Sequence, residues 1–167
     1  LNLINERFEF FKSYKKLNYK DDYSINKSPL FLIGFPRSGT TLLDTILRSH
    51  NSVQVLEEKP TVQKLLSSIK NQTKGQLNNL NSLSKSQKDL LREDYWDNLK
   101  SYADEKKDTN IILDKMPLNI IYVGEIIKIF PNAKFILSLR HPYDSVLSCF
   151  MQSFELNNAM ANFLNLE

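Results

Sequence analysis

The residues Gly34-Phe35-Pro36-Arg37-Ser38-Gly39-Thr40-Thr41-Leu42-Leu43 carry the plainest chemistry in the sequence. The apolar run Leu30-Phe31-Leu32-Ile33 stops at Gly34, a short turn follows, and two threonines open an amphipathic segment. That order reads as buried strand, tight loop and helix N-terminus. The unpaired N–H groups and positive dipole end of a first helical turn make such a loop an anion site. The spacing is that of a phosphate loop, G-x-x-x-x-G-K-[ST], with Thr40 where the lysine would stand. A nucleoside triphosphatase needs that lysine across its β and γ phosphates, and a hydroxyl with an acidic residue for Mg²⁺. Thr40 brings no charge. Asp114 follows an apolar strand as a Mg²⁺-binding acid would, but that is half a site. The loop therefore suits an anion with less charge than a triphosphate, held by the amides of Ser38 to Thr41 with Arg37 adding charge.

Other chemistry-bearing residues fall at the ends of short apolar runs. Glu57-Glu58 follow Val53, Val55 and Leu56; Lys115 follows Ile111-Ile112-Leu113; Arg140 follows Phe135-Ile136-Leu137. Ligands of open parallel sheets bind beyond the carboxyl ends of the strands. Separate segments thus deliver Arg37, Lys115, Arg140 and one acidic pair to a single rim.

The elements that position them alternate. Strands are expected at Leu30–Ile33 and around Val53–Leu56, with further buried strands at Asn110–Leu113 and Lys134–Leu139. Helices are expected from Thr40 to Ser49 with Leu42, Leu43, Ile46 and Leu47 as one apolar face, from about Pro60 through Ile69, and from Ser86 to Tyr102 with Leu90, Leu91, Tyr95, Leu99 and Tyr102 inward. Asp89 resembles a capping-box partner of Ser86. Further helices are expected over Leu118–Phe130 and from Tyr143 to about Phe154. Leu3, Ile4, Phe8, Phe11, Tyr14 and Leu17 lie at helical spacing in the first stretch, and the polar segment Lys20–Ser28 reads as a linker. Lys70–Lys85 reads as loop or weak helix. The alternation predicts an α/β fold, a three-layer α/β/α arrangement around a central parallel sheet. No internal repeat is visible.

The 167 residues amount to about one domain, and 41% hydrophobic with 25% charged residues is a globular balance. A net charge of +3 suits an anionic ligand and is too mild to imply nucleic-acid binding. No apolar run approaches the roughly 20 residues of a membrane span, and 1–28 lacks the charged-then-apolar order of a signal peptide. Cys149 is the single cysteine, so no intrachain disulfide exists and a cytoplasmic location is the default expectation. His50 and His141 are far apart and no metal-ligand spacing appears, so no metal is implied. The chain begins at Leu1 and ends at Leu166-Glu167 within a helical pattern, which suggests a piece of a longer protein.

Phe35-Pro36-Arg37-Ser38-Gly39-Thr40-Thr41-Leu42-Leu43 resembles the 5′-phosphosulfate loop of the sulfotransferases that use 3′-phosphoadenylyl sulfate (PAPS). The branch is that of the tyrosylprotein sulfotransferases and of bacterial enzymes with upstream tetratricopeptide repeats. Asp114-Lys115-Met116-Pro117-Leu118-Asn119, Phe130-Pro131-Asn132-Ala133-Lys134-Phe135-Ile136, Arg140-His141-Pro142 and Ser145-Val146-Leu147-Ser148-Cys149-Phe150 resemble the same branch in order and spacing.

The resemblance implies that Arg37, Ser38, Gly39, Thr40 and Thr41 hold the 5′-phosphosulfate of PAPS, and that Arg140 and Ser148 hold its 3′-phosphate. It implies Glu58 as the base that takes the acceptor's proton, with Glu57 the competing candidate. Nearby cations would keep that base ionised, and partial burial would tune it. Lys115 would lie against the bridging oxygen of the scissile bond. The acceptor would be a hydroxyl of a peptide, a carbohydrate or a small molecule. Where the tyrosylprotein enzymes carry a substrate-contacting arginine, two residues after the base, this chain has Pro60, which argues against peptide tyrosine. The expected organisation is an N-terminal helix and linker over 1–28, the end of an upstream helical domain, and a sulfotransferase domain over 29–167 without its C-terminal part. A homodimer is an open assembly state. The alternatives are a P-loop small-molecule kinase, against which Thr40 argues, and a catalytically inactive nucleotide-binding fragment, against which Glu58 and Lys115 argue.

Overall fold

A computed structural model of the chain describes residues 2–12, 28–104 and 111–152. The expected linker before Ser28, the positions of Tyr14 and Leu17, Asn110, and the chain beyond Gln152 lie outside the described residues. Helix α1 (Asn2–Lys12) is followed by β1 (Leu30–Gly34), α2 (Thr40–Arg48), β2 (Val53–Glu57), α3 (Thr61–Thr73) and α4 (Lys85–Lys100). Then come β3 (Ile111–Lys115), α5 (Val123–Ile129), β4 (Lys134–Ser138) and α6 (Pro142–Phe150). Short 3₁₀ segments occupy Leu77–Ser82 and Pro117–Tyr122.

The four strands form one parallel sheet in the order β2-β3-β1-β4. The chain moves from β1 to the β2 edge, then returns through β3 and crosses β1 to reach β4. Right-handed crossovers place α2 on one face and α3, α4 and α5 on the other. The core agrees: Phe31, Ile33 and Leu56 of the sheet cluster with Val62 and Leu65 of α3, Tyr95 of α4 and Ile126 of α5, and among the described residues none of α2 joins them. Phe31 lies between Phe135 and Tyr95, stacked on the first at 5.3 Å and tilted to the second at 6.0 Å. The expected α/β arrangement around a parallel sheet is thus observed.

Details depart from expectation. The cap of α4 is Ser84, whose hydroxyl accepts from the Gln87 amide while the Gln87 side chain accepts in turn from the Ser84 amide. Ser86 is inside the helix, and Asp89 instead pairs with Arg92 at 2.8 Å. Glutamine's longer side chain closes the box that aspartate reaches poorly. The segment expected as one helix over Leu118–Phe130 opens as a 3₁₀ turn with Pro117 in its first turn, and becomes α-helical only at Val123. On α2, Leu42 and Ile46 are exposed, Leu43 and Leu47 are half-buried and Thr40 and Asp44 are buried, so only part of the expected apolar face turns inward. Leu90 and Leu139, expected inside, are also exposed. Helix α1 docks through Arg7, which pairs with Glu125 at 2.6 Å and lies over the Tyr122 ring. Among the described residues, no helix is long and apolar enough to cross a membrane.

Candidate active site

The loop after β1 is shaped by backbone constraints. Arg37 and Gly39 both have positive φ, 64° and 96°. A Cβ on Gly34 would sit 2.6 Å from Ser38 Oγ and 2.9 Å from the Ser138 carbonyl, so only glycine lets the loop fold back over the strand end. The Ser138 hydroxyl donates to the Ser38 carbonyl at 2.8 Å, fastening the loop to β4. The amide of Ser38 is committed to the Phe35 carbonyl at 3.1 Å and is not free for an anion, contrary to expectation. The first amide of α2 to bond within the helix is that of Leu43, to Gly39. The N–H groups of Thr40, Thr41 and Leu42 therefore face outward from an uncapped helix start. The buried Ser38 hydroxyl has no partner among the described residues, which fits a loop shaped for a ligand oxygen.

Behind the loop lies an ion-pair cluster. Lys115 pairs with Leu32 of β1 and with Glu57 of β2 in the sheet register, which brings it beside the acidic turn. Its Nζ lies 2.9 Å from Glu57 Oε1 and 3.0 Å from Glu58 Oε1, with the lysine side chain almost wholly buried. Burial works against the ammonium, but its hydrogen bonds to Glu57 and Glu58 outweigh that and hold its pKa above the ordinary lysine value. The two acids differ. Glu57 is held below the usual carboxylate range by Lys115 first, with a smaller contribution from Arg48, whose guanidinium is 3.4 Å away. Arg48 is itself anchored bidentately on the buried Asp44. Among the described residues Glu58 has Lys115 as its one ion-pair partner, and its side chain is 55% exposed, so the partial burial expected of it is not observed. Glu58 adopts φ 50°, left-handed for a non-glycine residue, and its amide donates to the Lys115 carbonyl at 2.7 Å. Such a conformation costs about 1 kcal/mol or more and persists only where surroundings impose it.

Strand β3 runs through Lys115, so Asp114 and Lys115 point to opposite faces. Asp114 is fully buried in the α3/α4 layer, where Oδ2 accepts from Thr61 at 2.5 Å and from Tyr95 at 2.9 Å. It is turned away from the loop and does not supply the Mg²⁺ half-site that its position in sequence suggested. Burial raises its pKa to about 6, against the lowering effect of the Thr61 and Tyr95 bonds. The folded value lies above the ordinary 3.8, so the associated stability is fully present below pH 3.8 and is lost as pH rises through 6. A shift of this size corresponds to about 3 kcal/mol. Asp114→Asn should therefore flatten the fall in urea-unfolding free energy between acidic and neutral pH, read as the difference between variant and parent so that Glu57, which titrates with the opposite sign, cancels.

Three comparisons bear on what this arrangement belongs to. A family model described as "Sulfotransferase family" matches residues 29–166. The chain belongs to the sulfotransferase family. An uncharacterised protein of Aquifex aeolicus (strain VF5) is 33% identical over 149 residues, covering 83% of this chain. The chain spans only 19% of that relative's length. The crystal structure of the sulfotransferase STF9 from Mycobacterium avium superposes with a TM-score of 0.44 at 16% identity, over 89% of this chain and 52% of that one.

In this sulfotransferase chain the remaining expected residues converge on the loop. Arg37 Nε donates to Ser148 Oγ at 3.0 Å, and an Arg140 Nη donates to the Arg37 carbonyl at 3.1 Å. The residues expected at the two ends of the donor, Arg37 on one side and Arg140 with Ser148 on the other, are thus brought together beside the loop, Arg140 just before α6 and Ser148 on that helix. Cys149 is buried beneath them, its thiol directed at the Pro36 carbonyl, and burial pushes its pKa up against the pull of Arg37. Sequence reasoning missed Thr61 and Tyr95 beside Asp114, and Arg48 beside Glu57. A period-two reading of β3 extended to Lys115 would have shown that Asp114 faces the core; Tyr95 is expected inward on its helix, but nothing local pairs its hydroxyl with Asp114. Among the described residues, no group of three or more His, Cys, Asp or Glu is arranged to hold a metal ion.

Proposed function

We propose that the chain moves a sulfuryl group from PAPS to an acceptor hydroxyl by in-line displacement. The observation that carries this reading is the Lys115–Glu58 pair, a buried cation 3.0 Å from an exposed carboxylate in an imposed left-handed turn. A cation and a base are the two groups that the reaction needs, and the pair parts when the donor binds so that they act on opposite sides of the sulfur. Glu58 takes the proton as the acceptor oxygen forms its bond to sulfur. The bond from sulfur to the bridging phosphate oxygen breaks, and Lys115 stabilises the charge left on that oxygen. The products are the sulfated acceptor and 3′,5′-adenosine diphosphate. Glu58 is favoured over Glu57 because Glu57 is shared with Arg48 as well as Lys115, which makes it the poorer proton acceptor.

Arg37, Gly39, Thr40 and Thr41 hold the 5′-phosphosulfate, with Ser38 contributing its hydroxyl rather than its amide. Arg140 and Ser148 hold the 3′-phosphate, where a planar guanidinium makes paired charge-assisted bonds. The acceptor is a peptide, carbohydrate or small-molecule hydroxyl, and Pro60 after the acidic turn argues against a peptide tyrosine gripped as in the tyrosylprotein enzymes.

Arg140→Ala tests the donor assignment. It should weaken 3′,5′-adenosine diphosphate by about 10- to 100-fold, the loss of one charge-assisted contact, while leaving adenosine 5′-phosphate nearly unaffected. Isothermal titration with both nucleotides reads this directly, and equal losses for the two would show that Arg140 does not meet the 3′-phosphate.

A further inference from the structure

The turn bearing Glu58 is tied to β3 at three points. Two involve Lys115: its carbonyl accepts from the Glu58 amide, and its ammonium reaches both glutamates. The third is independent of Lys115. Thr61, the first residue of α3 and fully buried, donates its hydroxyl to Asp114 Oδ2 at 2.5 Å, and the Tyr95 hydroxyl of α4 braces the same oxygen at 2.9 Å. Pro60 at the N-cap of α3 gives no side-chain cap, and the Thr61 bond adds a directional polar tie between the first turn and the sheet to the apolar packing of Val62.

A buried carboxylate is a poor way to hold a core together. Asp114 has no exposure, and its Oδ1 is without a partner among the described residues. An apolar residue of similar volume in such a place is often neutral or stabilising. What the carboxylate provides instead is direction. It fixes the residue that begins α3, three positions after Glu58, and adjoins Lys115 in the chain, so base and cation are referenced to one short piece of strand.

We propose that Asp114 is a positioning residue for the acid–base pair, acting through Thr61, with Tyr95 bracing it, to hold the Glu57-Glu58 turn against Lys115. This rests on the reading of Glu58 as the base. In that reading the ammonium exchanges the carboxylates for the donor's bridging oxygen during turnover. The Thr61–Asp114 bond then keeps the turn in register while the ion pairs are open.

Thr61→Val removes the hydroxyl at nearly constant volume, and Thr61→Ser restores it. The titration of the Lys115 ammonium, followed by nitrogen NMR on the chain without nucleotide, reads the geometry independently of activity. In Thr61→Val the midpoint should fall by about one pH unit as the carboxylates move away and burial prevails, and Thr61→Ser should bring it back. Turnover with PAPS should fall roughly 10- to 100-fold, the effect of a small misplacement of a reacting group, with affinity for 3′,5′-adenosine diphosphate unchanged. Tyr95→Phe, which leaves one donor on Asp114, should shift both readouts in the same direction by less, and serves if Thr61→Val does not fold. A Lys115 titration unchanged in both variants overturns the proposal. Full turnover in Glu58→Gln would defeat the base assignment while leaving the titration result standing, so the two failures are distinguishable.

Discussion

Glu58→Gln should slow sulfuryl transfer by roughly 10²- to 10⁴-fold, the range that positioned general bases contribute, with donor affinity preserved. The substitution keeps size and one acceptor oxygen, so the turn after β2 should survive. Its amide bond to the Lys115 carbonyl comes from the backbone and is untouched. The loss should therefore appear in kcat rather than in the dissociation constant of 3′,5′-adenosine diphosphate. Glu57→Gln is the companion measurement. Glu57 contacts Lys115 as closely as Glu58 does, 2.9 Å against 3.0 Å, but also faces Arg48. Its loss should weaken the cluster and reduce kcat far less. If the two variants exchange these behaviours, the base is Glu57.

Lys115→Met should cost roughly 10²- to 10³-fold in kcat, the effect of removing one preorganised charge from the place where charge develops. Methionine retains the buried stem and removes the ammonium. Because the two glutamates hold the Lys115 pKa above the ordinary lysine value, the cation persists at every pH where the enzyme would work. The rate should accordingly show no decline from loss of this charge near neutrality. The variant also leaves Glu57 and Glu58 without their shared cation, so part of its effect passes through the acids. The Glu58→Gln/Lys115→Met double variant separates the contributions: two groups serving one transition state should be far from additive.

Much of the site is legible in the amino-acid sequence, for a physical reason. Leu30–Ile33 followed by Gly34, and Thr40-Thr41 opening a helix, are local signals, and β1, the loop and α2 appear where those residues place them. The placement of Lys115 beside Glu57-Glu58 follows from strand ends sharing a rim, and the register Glu57↔Lys115 realises it. Non-local partners are less legible. Asp114 looks like a metal-binding acid from its position after an apolar run, and only the opposite-facing Lys115 and the Tyr95 hydroxyl 19 residues earlier give it a core role. Leu42 and Ile46 promise a buried face on α2, whereas they are exposed and the helix turns Thr40 and Asp44 inward, with Arg48 bridging Asp44 and Glu57. Ser84 and Ser86 both offer a cap, and the reach of Gln87 decides between them.

The central claim is that the loop without its lysine serves a 3′-phosphorylated adenylyl sulfate and not a nucleoside triphosphate. Thermal unfolding of the chain with 3′,5′-adenosine diphosphate, compared with ATP and Mg²⁺, tests it most directly. A ligand at about 100 times its dissociation constant stabilises by about 2.7 kcal/mol, enough to move the midpoint by several degrees. The expected result is a raised midpoint with 3′,5′-adenosine diphosphate, reduced in Arg140→Ala, and little change with ATP and Mg²⁺. Stabilisation by ATP and Mg²⁺ alone would contradict the sulfotransferase mechanism.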